Sequence, residues 1–115
     1  MWRLEEEARV YIALDPVDMR KAINGLSILV ESEMEKNLFT GDLFVFSNRS
    51  RTIIKILSWD RNGFCLWQKR LEKDRFKWPK SENEVLELKI NELSWLLDGL
   101  DIKHAHQRLE YETLI

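Results

Sequence analysis

The residues best suited to chemistry lie between Arg49 and Lys80, in the run RSRTIIKILSWDRNGFCLWQKRLEKDRFKWPK. Ten lysines and arginines stand there against three acids, Asp60, Glu72 and Asp74, for a local charge of +7. Five aromatics are interleaved: Trp59, Phe64, Trp67, Phe76 and Trp78. The whole chain carries only −2, so its near-neutral average hides a basic middle between two acidic flanks: Met1 to Asn48 at −4 and Ser81 to Ile115 at −5. This combination suits a polyanion. Lysine and arginine neutralise phosphates and release counterions, and an aromatic beside them stacks a splayed base, worth roughly 1–3 kcal/mol. The candidate phosphate contacts are Arg49, Arg51, Lys55, Arg61, Lys69, Arg70, Lys73, Arg75 and Lys77, with Trp67 as the stacking candidate. The same residues also suit a plain role, with the aromatics as core and the cations as a solvated rim that guards the sheet edges. Spacing leaves both readings open. Ten cations against three acids is more one-sided than a rim requires.

Other constellations are weaker. Glu87-Leu88-Lys89 puts an acid and a lysine on one strand face and, with Asp60 or Asp74, loosely imitates a metal-dependent nuclease site. Glu-x-Lys is common by chance, and nothing in the sequence fixes a third ligand. His104-Ala105-His106 lacks a nearby cysteine pair or third ligand for zinc, so a structural or solvent role is expected. Cys65, between Phe64 and Leu66, reads as a small buried side chain rather than a nucleophile. No glycine-rich phosphate loop, Ser-His-Asp set or zinc spacing is present. The expectation is a protein without catalytic residues, metal or cofactor.

The elements that must position the basic middle are legible from pattern. Val10 to Leu14 reads as a strand. Asp15-Pro16-Val17-Asp18 reads as a helix start, with Asp as N-cap and Pro at the first helical position, and the stripe Met19, Ile23, Leu26 and Val30 extends it to about Lys36. Strands follow at Leu43–Phe46 and Thr52–Trp59. Asn62-Gly63 marks a tight hairpin, because both residue types tolerate positive φ, and Phe64–Lys73 returns as the partner strand. Either a two- or a four-residue loop puts Ile53, Lys55, Leu57 and Trp59 on one face with Phe64, Leu66, Gln68 and Arg70, and Ile54, Ile56 and Ser58 on the other with Cys65, Trp67 and Lys69. A short strand is expected at Phe76–Trp78, another at Val85–Ile90, then a helix over Glu92–Asp98 with Asn91 as N-cap and Gly99 just past its end.

This order predicts an α+β fold: a mainly antiparallel meander sheet with one long N-terminal helix packed on it and a short C-terminal helix. Its length suits one domain over residues 1–101, followed by a polar tail, 102–115. A single cysteine excludes an internal disulfide and fits a reducing compartment. No run approaches the roughly 20 apolar residues of a membrane span, so a cytoplasmic protein is expected.

Several segments, taken in order, carry a family resemblance: Val10–Leu14 (VYIAL), Pro16–Lys21 (PVDMRK), Asn24-Gly25-Leu26, Leu43–Phe46 (LFVF), Ile54–Leu57 (IKIL), Trp59–Leu66 (WDRNGFCL), Lys69–Glu72 (KRLE) and Phe76–Pro79 (FKWP). Together they closely resemble the TnpB accessory proteins of the insertion-sequence family numbered sixty-six, which are unrelated to the RNA-guided nuclease of the same name. The resemblance spans about Val10 to Asp101. It implies a bacterial helper of DNA transposition and recombination, acting beside a separate transposase. The partners it implies are that transposase, other proteins of the same element and DNA, and the acidic flanks are compatible with self-association. Two molecular roles fit: DNA contact through the basic hairpin, or a protein–protein adapter to the transposase without direct DNA contact.

Overall fold

The computed structural model describes residues 8–83 and 85–102. Five strands form one sheet: β1 (Val10–Ala13), β2 (Leu43–Ser47), β3 (Ile53–Asp60), β4 (Gly63–Arg70) and β5 (Val85–Leu88), in the order β4-β3-β2-β1-β5. β1 and β2 run parallel, and the other neighbours are antiparallel. Among the described residues the α-helices are α1 (Ile23–Ser32) and α2 (Ile90–Leu97), with a 3₁₀ turn at Leu38–Thr40.

The expected antiparallel meander under a long helix is therefore corrected to a mixed sheet with a ten-residue helix as a parallel crossover. Parallel neighbours need such a crossover, and helices on both faces bury both sides of the central strands. β1 and β2 show this. Val10, Ile12, Leu43 and Val45 point to one core with Leu93 and Leu96 of α2, while Tyr11, Phe44 and Phe46 point to the other with Leu26 and Val30 of α1. The unbroken apolar runs VYIA and LFVF are the sequence mark of strands covered twice.

The helix is shorter than its apolar stripe for local reasons. The Val17 N–H bonds the Ser47 carbonyl at 2.8 Å, so the chain after β1 is still tied to the end of β2 where the helix was expected to begin. Asp18 accepts from the Arg20 backbone N–H at 2.9 Å and from its guanidinium at 2.6 Å. The bonds from Arg20 hold the Asp18 carboxyl down at about 2. At the far end Glu35 takes φ +54, the Lys36 N–H bonds the Val30 carbonyl, and Met34 and Leu38 turn into the α1-side core.

The hairpin register follows the alternation in the sequence, with Trp59 opposite Phe64, Leu57 opposite Leu66 and Ile56 opposite Trp67. Its turn differs: Arg61 and Asn62 form the loop and Arg61 takes the positive φ, +50, while Gly63 already belongs to β4. Phe76–Trp78 is not a strand, and the β5 strand stops at Leu88. α2 begins one residue before Asn91. Lys89 occupies the N-cap, and its N–H is held by Glu92 Oε1 at 3.1 Å. Gly99 at φ +85 closes α2 with bonds from the Gly99 N–H to Leu96 O and from the Leu100 N–H to Trp95 O, a Schellman motif. Replacing Gly99 by alanine is expected to cost about 1 kcal/mol, read as a lower urea midpoint with unchanged m.

Candidate nucleic-acid interface

One end of the sheet gathers three connections: the β1–α1 loop, the β2–β3 turn and the long β4–β5 loop. Asn48 organises the turn. Its Oδ1 accepts from the backbone N–H of Thr52 at 2.9 Å and of Ile53 at 3.1 Å, and its Nδ2 donates to Thr52 Oγ1 at 2.9 Å and Ser50 Oγ at 3.1 Å. This turn holds Arg51 at φ +59 and leaves Arg49 exposed.

Arg51 faces inward. Its Nη2 donates to the Leu14 carbonyl at 2.8 Å, and its guanidinium sits 5.0 Å from the centre of the Trp78 ring. Burial pushes its pKa down, and the charge of Asp15 opposes that shift. Trp78 in turn donates through Nε1 to the Ala13 carbonyl at 3.2 Å. The β4–β5 loop is sewn to the same turn by the Leu71 N–H on Thr52 O and the Phe76 N–H on Arg51 O, both 2.8 Å. Phe76 is 2% exposed within the α2-side core. Between these anchors Lys73, Arg75 and Lys77 are exposed, and with Arg49 they make no ion pair among the described residues.

The other candidates are placed differently. Lys55 is 8% exposed, and its ammonium donates to the carbonyls of Met19 at 2.8 Å and Lys21 at 2.9 Å, fastening β3 to the β1–α1 loop. Lys69 donates to the Leu97 carbonyl at 2.8 Å, a cation at the C-terminal end of α2 where the helix dipole favours it. Trp67 is half-buried and packs against the α2-side core. Arg70 is exposed but bound to Glu72 at 3.0 Å. Arg61 lies at the hairpin tip, the full length of β4 away from Arg70, 3.8 Å from Asp60. Two cations outside the candidate set share the cationic end. Lys21 follows the turn at Asp18, and Lys80 lies between Trp78 and β5; both are exposed. Lys80 belongs to the ten cations of the basic stretch, whereas Lys21 lies outside it and is brought to this end only by the folded β1–α1 loop.

Replacing Lys55 by methionine keeps most of the volume but strands two carbonyls. A loss of about 2 kcal/mol in unfolding free energy is expected, with no change in any salt dependence of DNA binding. Urea denaturation and a salt titration read the two quantities separately.

The carboxylates of the nuclease reading do not meet. Glu87 is on β5 beside Arg9, and Asp60 ends β3, three strands across the sheet or about 14 Å by strand spacing alone. Asp74 sits in the β4–β5 loop at φ +66. No group of three His, Cys, Asp or Glu suited to a metal occurs among the described residues. Cys65 is exposed, contrary to the buried position expected. His104 and His106 lie outside the described residues.

A family model described as IS66 Orf2-like protein matches residues 8–107. The chain belongs to the IS66 Orf2-like family. It is thus an accessory protein associated with IS66 insertion sequences, as the segments from VYIAL to FKWP led one to expect. Two proteins of Sinorhizobium fredii are similar along most of their length. Uncharacterized protein y4hO is 36% identical over 102 residues, 89% of each chain, and Uncharacterized protein y4jC is 36% identical over 93 residues, 81% of this chain and 80% of its own. No solved structure matches. No described helix of this IS66 Orf2-like protein is long and apolar enough to cross a membrane.

Proposed function

We propose that this IS66 accessory protein assists transposition by gripping DNA phosphates with the cationic end of its sheet. The observation that supports this is the set Arg49, Lys73, Arg75 and Lys77: exposed, without ion pairs among the described residues, and displayed on a turn and a loop anchored by Asn48, Phe76 and Trp78. Lys55, Lys69 and Arg51 support that end from inside, and Arg70 is shared with Glu72. Exposed cations on a turn and a loop suit phosphate oxygens, so the proposed contact is to the DNA backbone and is salt-sensitive. Binding to the element's terminal repeat, titrated with salt from about 50 mM, tests it. A steep linear loss of log affinity with log salt is the expected result. A folded sample that fails to bind at the lowest salt, or binds with a flat salt dependence, refutes it.

A second reading, an adapter to the transposase, draws on the opposite end of the sheet. Phe39 is 59% exposed there and meets Trp59 edge-on at 5.0 Å, while Trp59 meets Phe64 at 5.0 Å. Retention of the transposase by a variant that no longer binds DNA, with transposition intact, favours the adapter.

A further inference from the structure

β4 is an eight-residue strand at the edge of the sheet, and no described residue pairs with its outer side. The Leu71 N–H on Thr52 O marks the bonded positions of the β3–β4 ladder. In an antiparallel pair these recur every second residue, so residues 63, 65, 67 and 69 turn their backbone groups to β3. Phe64, Leu66, Gln68 and Arg70 turn theirs outward. Sheet edges are ordinarily blunted by prolines, bulges, charges or shortness. From Gly63 to Gln68 this edge has no charge and no proline, and the Lys69 ammonium is drawn to α2.

We infer that a second copy of this chain pairs with β4, edge to edge and antiparallel, joining two five-stranded sheets into one. The register follows from the outward groups and the charges. Setting Phe64 opposite Arg70 of the second copy, and Leu66 opposite Gln68 of the second copy, bonds all four outward residues of each strand. Each charged end, Lys69 and Arg70, then meets the neutral end of the other strand. No like charges face each other, and Arg70 lies beside an aromatic ring. A shift by two residues leaves one outward pair of each strand unmet. Parallel pairing about a twofold axis would set the Arg70 residues of the two copies side by side. The two cationic ends of such a dimer point in opposite directions.

The single cysteine supplies the test. In this register the Cys65 Cα atoms of the two copies lie about 14 Å apart, four residues of strand and one strand spacing. Sedimentation of the full chain from about 1 to 100 μM, a span that brackets weak to moderate affinities, is expected to show a monomer–dimer equilibrium. Nitroxides on Cys65 are expected to broaden through short-range dipolar coupling. Gln68→Pro removes an outward N–H and no bond to β3, so it is expected to give a folded monomer by sedimentation and circular dichroism. A full chain monomeric at every concentration overturns the proposal, and so does a dimer without Cys65 broadening or a folded Gln68→Pro protein that still dimerises with the same broadening. If removing residues 103–115 turns a monomer into a dimer, the chain's own end occupies the edge and the proposal also fails. Should Gln68→Pro not fold, the wild-type nitroxide measurement decides.

Discussion

Replacing Lys73, Arg75 and Lys77 together by glutamine is expected to flatten the salt dependence of DNA binding, with the slope of log affinity against log salt falling by about 2.7. At about 0.1 M salt the same loss of counterion release corresponds to roughly 10² to 10³-fold weaker binding. The three side chains are exposed and bond to nothing described, so the fold has little reason to respond. Surface substitutions of this kind ordinarily shift stability by no more than about 0.5 kcal/mol. The measurement is a salt titration of terminal-repeat binding beside a urea curve. A changed slope with an unchanged urea midpoint is the expected pair. An unchanged slope removes these residues from the interface.

Phe76→Ala is expected to act in the opposite order, on the fold first and on binding through it. Truncating a fully buried phenylalanine costs about 3–5 kcal/mol, because the cavity it leaves is only partly refilled. Phe76 is 2% exposed and packs with Val10, Val45, Ile54 and Leu93 on the α2 side of the sheet. Against the ordinary 5–15 kcal/mol of a domain this is a large share. Its backbone N–H also ties the β4–β5 loop to Arg51. The expected result is a urea midpoint lowered by half or so, with weaker DNA binding even where the protein is still folded, since Lys73, Arg75 and Lys77 lose their fixed spacing. A Phe76→Ala protein that keeps wild-type stability would show that the loop does not depend on this anchor.

How far the sequence alone reaches can be judged from particular residues. The faces of the β3–β4 hairpin follow from a period of two, and Leu57–Leu66 and Ile56–Trp67 pair as that period requires. Gly99 could be placed because a left-handed residue after a helix is most cheaply a glycine, and it has that φ. The parallel pairing of β1 with β2 was hidden, since it joins Val10 to Leu43 across 33 positions and no local pattern encodes it. Asp15-Pro16 had the chemistry of a helix start, yet Ser47 takes the Val17 N–H and Lys55 takes the carbonyls of Met19 and Lys21. The same long-range bonds explain Lys55. Alternation set it beside Leu57 and Trp59, but its carbonyl partners exist only because the helix begins late. The cationic end was legible as charge and not as geometry, since its presentation depends on which aromatics turn inward.

The alternation from Phe76 to Trp78 has a consequence for how such a protein diverges. Phe76 and Trp78 are held inside and Lys77 lies outside between them. Codon changes at 73, 75 and 77 can therefore retune the surface charge without disturbing the interior. A single-codon insertion or deletion between Arg75 and Trp78 cannot, because it would carry a cation into an anchor's place and an aromatic out to solvent. Lineages of this protein should drift in charge along this loop while keeping its length.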